Sequence, residues 1–146
     1  MNAEAAPAFV DTNILVYCFQ RRVSDKQAMA RRVVEHLMGT GHFRASTQVM
    51  QELFVTLTRK VEQPCSMEEA LGYLESVSEW PIFVVDYPAI REAGRLAGDA
   101  QISFWDALIV VAAARSGAER LYTEDLNHGQ RILGVEIVNP FRPEAA

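Results

Sequence analysis

The chain has 146 residues, 49% of them hydrophobic and 23% charged, with 14 Lys and Arg against 19 Asp and Glu and a formal charge of −5. That is the size and composition of a single globular domain able to bury its own core. It argues against a binder that works through a broad basic surface, because such proteins must neutralise phosphates. A nuclease stays open, since carboxylates gathered around metal ions count as negative in the sequence yet carry cations in use. Cys18 and Cys65 stand far apart without CxxC or Cys/His spacing, against a disulfide framework or a structural zinc. The first seven residues are short, lack a basic segment and lead into no long apolar run, unlike a signal peptide. No stretch has the apolar length needed to span a bilayer. The expectation is one soluble, cytoplasmic domain over 1–146, with 1–7 and 143–146 as frayed ends.

In chain order, Ala8-Phe9-Val10 is a short strand ending at Asp11. Ser24 opens a helix to about residue 38, with Ala28, Val33, Val34, Leu37 and Met38 at helical spacing and Gly39 as its stop. A weak strand over 42–45 follows. Ser46 or Thr47 then caps a helix to about Val61, in which Val49, Leu53, Leu57 and Val61 recur every fourth residue. A helix over 66–77 carries Ser66 and Glu69 at capping-box spacing. Residues 82–85 form a β-rich strand after Pro81. Helices over 88–100 and 103–116 are separated at Gln101-Ile102, and strands over 121–122 and 135–138 close the chain. This alternation predicts an α/β domain: a central, largely parallel sheet with helices on both faces. Such sheets build sites at the carboxyl ends of strands, where strand order reverses.

Four acids fall in informative places. Asp11 follows the first strand and precedes Thr12 and Asn13, so it reads either as a cation ligand or as the cap of a following helix. Asp106 is the only charge between Ile102 and Ala114, in a segment apolar all round and therefore interior. A carboxylate there needs a cation or firm hydrogen bonds, although Ser103 and Asp106 also fit a capping box. Glu52 shares a helix stripe with Gln48, Thr56 and Arg59, which a solvated face explains equally. Asp125, in Thr123-Glu124-Asp125-Leu126-Asn127-His128-Gly129, reads first as a turn and second as a ligand after a strand. Taken together, several carboxylates without a Cys or His nucleophile suit divalent-metal phosphoryl chemistry, because hard cations take oxygen ligands and activate bound water.

In this order and spacing the segments Phe9-Val10-Asp11-Thr12-Asn13-Ile14-Leu15, Gln51-Glu52-Leu53, Ser103-Phe104-Trp105-Asp106-Ala107-Leu108-Ile109, 123–129 and Val138-Asn139-Pro140-Phe141 resemble PIN-domain ribonucleases. More narrowly, the chain resembles toxins of the VapC type from toxin–antitoxin pairs. The resemblance spans nearly the whole chain and implies a metal-dependent endoribonuclease using Mg²⁺ or Mn²⁺. It implies Asp11 and Asp106 as core metal ligands and Glu52 and Asp125 as completing the catalytic pocket, partly through water. Thr12 and Asn13 would orient the first acid, and Ser103 would support the entrance of the Asp106 helix; Glu124 falls off the motif. The resemblance also implies an RNA substrate, a cognate antitoxin in the cleft and a homodimer. Arg21, Arg22, Lys26, Arg59 and Lys60 are candidates for the RNA path, and His36, His42 and His128 are expected to take no part as bases. The competing readings are a PIN-like interaction module without catalysis and, well behind it, a phosphotransfer receiver, for which neither Lys26 nor Lys60 is suitably placed after a strand.

Overall fold

Strand β1 (Ala8–Val10) is buried at every position, and successive strand residues face opposite sides of a sheet, so both faces of the sheet centre are covered. The computed structural model describes residues 6–142; of the ends expected to fray, 1–5 and 143–146 lie outside the described residues, while the Pro7 carbonyl accepts the Glu119 N–H at 3.0 Å. From β1 the chain runs through helices α1 (Thr12–Phe19) and α2 (Asp25–Thr40) to β2 (Phe43–Ser46). Then come α3 (Thr47–Val55), a π-helical turn (Thr56–Lys60), α4 (Met67–Val77) and the short β3 (Ile82–Phe83). Helices α5 (Tyr87–Ala100) and α6 (Phe104–Arg115) lead to β4 (Arg120–Tyr122), β5 (Arg131–Ile132) and β6 (Val135–Val138). The six strands lie in the order β3-β2-β1-β4-β6-β5. All pairs are parallel except the β5–β6 hairpin. The expected α/β class and largely parallel sheet are therefore present.

The chain winds outward from β1 through β2 to β3, then returns to place β4 on the other side of β1. The strand order reverses between β1 and β4, and that is where a parallel sheet opens a crevice. Helix α6 is the wedge beneath it. Its residues from Ala107 to Ala113 are buried. Ala107, Leu108 and Val111 pack on Ala89 and Ala93 of α5, alanines whose small side chains let the two helices meet closely.

Several boundaries differ from the sequence reading, each for a local reason. Helix α2 runs through Gly39 and stops at Gly41, whose φ of 78° is the left-handed conformation that a β-carbon disfavours. The helix expected to continue to Val61 changes to π geometry at Thr56. There the Thr58 hydroxyl donates back to the Phe54 carbonyl at 2.8 Å, and the Cys65 N–H donates to the Leu57 carbonyl at 2.8 Å. Strand β3 ends at Phe83 because the Val85 N–H donates to the Thr47 hydroxyl rather than to a strand. Helix α1 has no counterpart in the periodicity, since it spans only eight residues; Asp11 as the cap of a following helix is its one sign in the sequence. Strand β5 is equally hidden, a two-residue strand returned by Leu133 and Gly134, both at positive φ. Cys18 and Cys65 are free, buried thiols, and no single described helix is long and apolar enough to cross a membrane.

Leu121, fully buried in β4, is the test of how tightly this centre is packed. Leu121→Ala is expected to lower unfolding free energy by about 2–5 kcal/mol in urea titrations, the transfer loss plus the cavity. A loss under about 1 kcal/mol would mean that β4 can close over the gap.

Candidate active site

The site starts from strand register. Val10 of β1 lies opposite Tyr122 of β4 in parallel pairing, so the residues that follow each strand, Asp11 and Thr123, emerge side by side. The Asp11 N–H continues the ladder to the Tyr122 carbonyl at 3.0 Å. Thr123 is fully buried, and its hydroxyl donates to Asp11 Oδ2 at 2.7 Å while accepting the Asp125 N–H at 3.1 Å. The other Asp11 oxygen, Oδ1, accepts the Thr12 N–H at 2.7 Å and caps α1. Capping and site placement, which competed in the sequence reading, are thus the same contact. Asp11 is only 5% exposed. Burial pushes its carboxyl up to about 7, against the lowering effect of Thr123 and Thr12, and the Asp125 and Glu52 charges push the same way as burial.

The first turn of α1 reaches the other acids. Thr12 Oγ1 donates to Glu52 Oε1 at 2.8 Å, and Asn13 Nδ2 donates to Asp125 Oδ2 at 2.9 Å. Gln48, one turn before Glu52, donates to Glu52 Oε2 at 3.4 Å and to the Trp105 carbonyl at 3.2 Å, joining α3 to the start of α6. Glu52 is half-buried rather than on a solvated face, and Arg59 of the same stripe is absent from the cleft lining. Asp125 sits at the open rim. Partial desolvation, then the charges of Asp106, Glu124 and Glu52, raise its carboxyl above the ordinary range.

Asp106 corrects one expectation. The body of α6 is interior, but its first turn opens into the cleft, so Asp106 is half-buried rather than sealed in the core. Only one half of the capping box forms: Ser103 Oγ accepts the Asp106 N–H at 3.0 Å. Among the described residues the Asp106 carboxylate has no hydrogen-bond or ion-pair partner in return. In α4, by contrast, Ser66 and Glu69 make both halves of theirs. Capping explains Ser103 and leaves the Asp106 carboxylate available.

Asp11, Glu52, Asp106 and Asp125 all line one cleft of about 870 Å³, together with Thr12 and Asn13. Arg21, Arg22, Lys26 and Lys60 line it as well, so four of the five basic residues proposed from sequence face the same space. No histidine belongs to the lining; His128 instead accepts the Asn139 N–H on Nδ1 at 3.0 Å. Sequence reasoning gave no role to Thr123 or Gln48. The signal for Thr123, a hydroxyl immediately after a strand, becomes readable only once β4 is known to lie beside β1. Glu124, off the motif, has a structural use: it accepts Tyr17 Oη at 2.8 Å and Lys26 Nζ at 2.9 Å, tying the Asp125 loop to α1 and α2.

The donor set fits a hard divalent cation that keeps part of its water shell. Among the described residues no three Asp, Glu, His or Cys side chains converge closely enough to hold a metal ion between them, so a cation here would rest on fewer protein ligands. Mg²⁺ characteristically binds through one or two carboxylates and several waters. Two buried acceptors, Asn13 Oδ1 and Gln48 Oε1, have no hydrogen-bond partner. Both belong to residues of the cleft, where cation-bound water would satisfy them.

The PIN domain family matches residues 8–131, and the chain belongs to that family. Two solved structures are similar in fold. One is the VapC20 toxin of Mycobacterium tuberculosis, a sarcin-ricin loop cleaving toxin: TM-score 0.62, 18% identity, covering 81% of this chain and 89% of that one. The other is a toxin–antitoxin complex from Klebsiella pneumoniae: TM-score 0.68, 20% identity, covering 92% of this chain and 98% of that one. No curated protein matches the chain.

The raised Asp11 pKa has a defined sign for stability. Its folded value of about 7 exceeds the ordinary 3.8, so its contribution is fully present below about pH 3.8 and is lost as pH rises through 7. Without metal, Asp11→Asn is therefore expected to be more stable than the parent at pH 8, by up to about 4 kcal/mol, and nearly equal to it at pH 4. Thermal melts in EDTA at the two pH values check this, and an Asn variant with the parent's pH dependence would contradict it.

Proposed function

We propose that this chain is a Mg²⁺- or Mn²⁺-dependent endoribonuclease, the toxin component of a type II toxin–antitoxin pair. The observation that carries the reading is the meeting of Asp11, Glu52, Asp106 and Asp125 in one cleft at the β1/β4 reversal, with the Asp106 carboxylate unpartnered. PIN-domain membership and the fold shared with a toxin structure and a toxin–antitoxin complex support it.

In this reading Asp11 and Asp106 would hold the cation, and Glu52 and Asp125 would complete the acidic pocket, in part through water. When bound, the metal polarises the scissile phosphate and supplies a water of lowered pKa. The chain's own work is placement. Thr123 and Thr12 hold the Asp11 carboxylate in one orientation, and Asn13 does the same for Asp125. Ser103 anchors the α6 turn that presents Asp106. Asp11 and Asp125 are both raised by burial and by neighbouring negative charge, and a cation in the cleft would favour their ionised forms. Gln48 orients Glu52 and fixes the α6 entrance through the Trp105 carbonyl. No side chain is needed as a nucleophile.

The partner would be a cognate antitoxin, a reading supported by the fold shared with the Klebsiella complex. A homodimer is expected from the family resemblance, and sedimentation of the purified protein tests it.

Cleavage of pooled cellular RNA by antitoxin-free protein, in Mg²⁺ or Mn²⁺ and again in EDTA, tests the activity. Discrete products are expected, lost on chelation and restored by added metal. Asp106→Asn keeps the Ser103 cap on a backbone N–H, so it should fold normally. It should lose more activity than the roughly 10–100-fold typical of removing an outer-shell partner. A folded Asp106→Asn protein with parental activity would remove Asp106 from the machinery. No cleavage, together with no metal binding by calorimetry, would leave the non-catalytic interaction module as the better account.

A further inference from the structure

One large ring stands open at the edge of the acidic cleft. Trp105 is 63% exposed, lines the cleft and directly precedes Asp106 in the first turn of α6. Of the other exposed large hydrophobic residues among those described, only Val55 shares that lining, and it has no ring. Tyr17, also in the cleft, is already engaged: Lys26 Nζ lies 5.2 Å from its ring centroid, and Phe141 packs edge-on at 5.2 Å. Trp105 is held from behind instead. Its carbonyl accepts Gln48 Nε2 at 3.2 Å, and its ring meets Phe104 edge-to-face at 5.1 Å. The indole is thus steadied by its surroundings while most of its surface stays free.

The charge distribution gives such a ring a purpose. The chain carries −5 overall. Three of the four basic residues in the cleft are spoken for: Arg21 by Glu69, Arg22 by Glu62 and Lys26 by Glu124. Counterion release, the usual source of nucleic-acid affinity, is therefore weak here. Stacking of bases on aromatic side chains is the other general source, and it tolerates any sequence because every base has a π-face.

We propose that Trp105 is a stacking platform for one unpaired base of a single-stranded RNA, placed next to the phosphate presented to Asp106. The proposal rests on the ribonuclease reading and adds a substrate-positioning residue to it. A single stacked base suits the setting better than a protein partner. Of the groups tied to Trp105 by chain or hydrogen bond, those that line the cleft are Asp106 and Gln48, with Glu52 beyond Gln48, all polar; the apolar Phe104 touches the ring from outside the lining. A protein interface of ordinary size is centred on a desolvated apolar patch. A duplex, with its bases stacked internally, has no free face to offer the ring.

The test is binding of an end-labelled single-stranded RNA by fluorescence anisotropy, in the Asp106→Asn background so that nothing is cut. Trp105→Ala is expected to weaken binding about tenfold and Trp105→Phe much less, with duplex binding unchanged in both. Moving a single abasic site along the RNA should reveal one position that costs the Trp105 protein a similar factor and costs the Ala variant nothing. That coupling identifies stacking on the ring rather than a general packing effect. Equal affinity of Trp105→Ala and its background, or abasic penalties identical in both, overturns the platform. A change of oligomeric state in Trp105→Ala with unchanged RNA affinity overturns it too, and assigns the ring to a protein contact. If the unaltered protein still cleaves RNA in Mg²⁺, any of these results removes the platform alone. If it neither binds nor cleaves RNA, the ribonuclease reading fails and takes the platform with it.

Discussion

A single buried hydroxyl joins the two halves of the site. Thr123 Oγ1 donates to Asp11 and accepts from the Asp125 backbone, so the ends of β1 and β4 and the loop after β4 share one atom. Asp11 in turn caps α1, and that cap sets where Thr12 and Asn13 point. Through those two residues the arrangement extends to Glu52 and back to Asp125. A carboxylate as deeply buried as Asp11 is tolerable only with such partners, since an unpaired buried charge costs several kcal/mol. The strand register and the hydrogen-bond chain are therefore one constraint: a shift of β4 along β1 would unpair Asp11 and scatter the other acids.

The same packing leaves the site electrostatically uneasy. Burial and like charge both raise Asp11 and Asp125, and two buried amide oxygens lack partners. Elsewhere among the described residues polar groups are matched closely, as in the complete Ser66–Glu69 capping box and the Lys26–Glu124–Tyr17 cluster. Local unsatisfied demand concentrated in one cleft is the usual mark of a place built for something else to enter. The hydrated divalent cation we propose would answer both deficits, supplying positive charge to the carboxylates and water protons to the orphaned oxygens.

Much of the fold was legible because its long elements repeat simple signals. Helices α2, α4 and α6 follow from caps at Ser24, Ser66 and Ser103, whereas α5, expected from residue 88, starts at Tyr87 behind a cap at Asp86 that the sequence reading did not name. What escaped was short or governed by distant contacts. Eight residues of α1 carry too few turns for periodicity, and the π turn after Val55 depends on a bond from Cys65, ten residues on. The four acids that meet in the cleft were singled out by the family resemblance of the segments around them. Their supports were not: Thr123 looks like any hydroxyl in a turn, and Gln48 like any polar residue on a helix.

The amino-acid sequence by itself determined the class of domain, the strand-then-acid placement of Asp11 and the capped entrance at Ser103. These are local matters, decided by side-chain chemistry within a few residues. Only the tertiary structure decided that Asp11 is both cap and buried site residue, that Asp106 faces a cleft instead of the core, and that Glu52 leaves the solvated face for the Thr12 hydroxyl. Each of these depends on β4 lying beside β1 and on α3 and α6 meeting across Gln48. Pairing between segments more than a hundred residues apart follows from burying the whole sheet at once, and no local pattern encodes it.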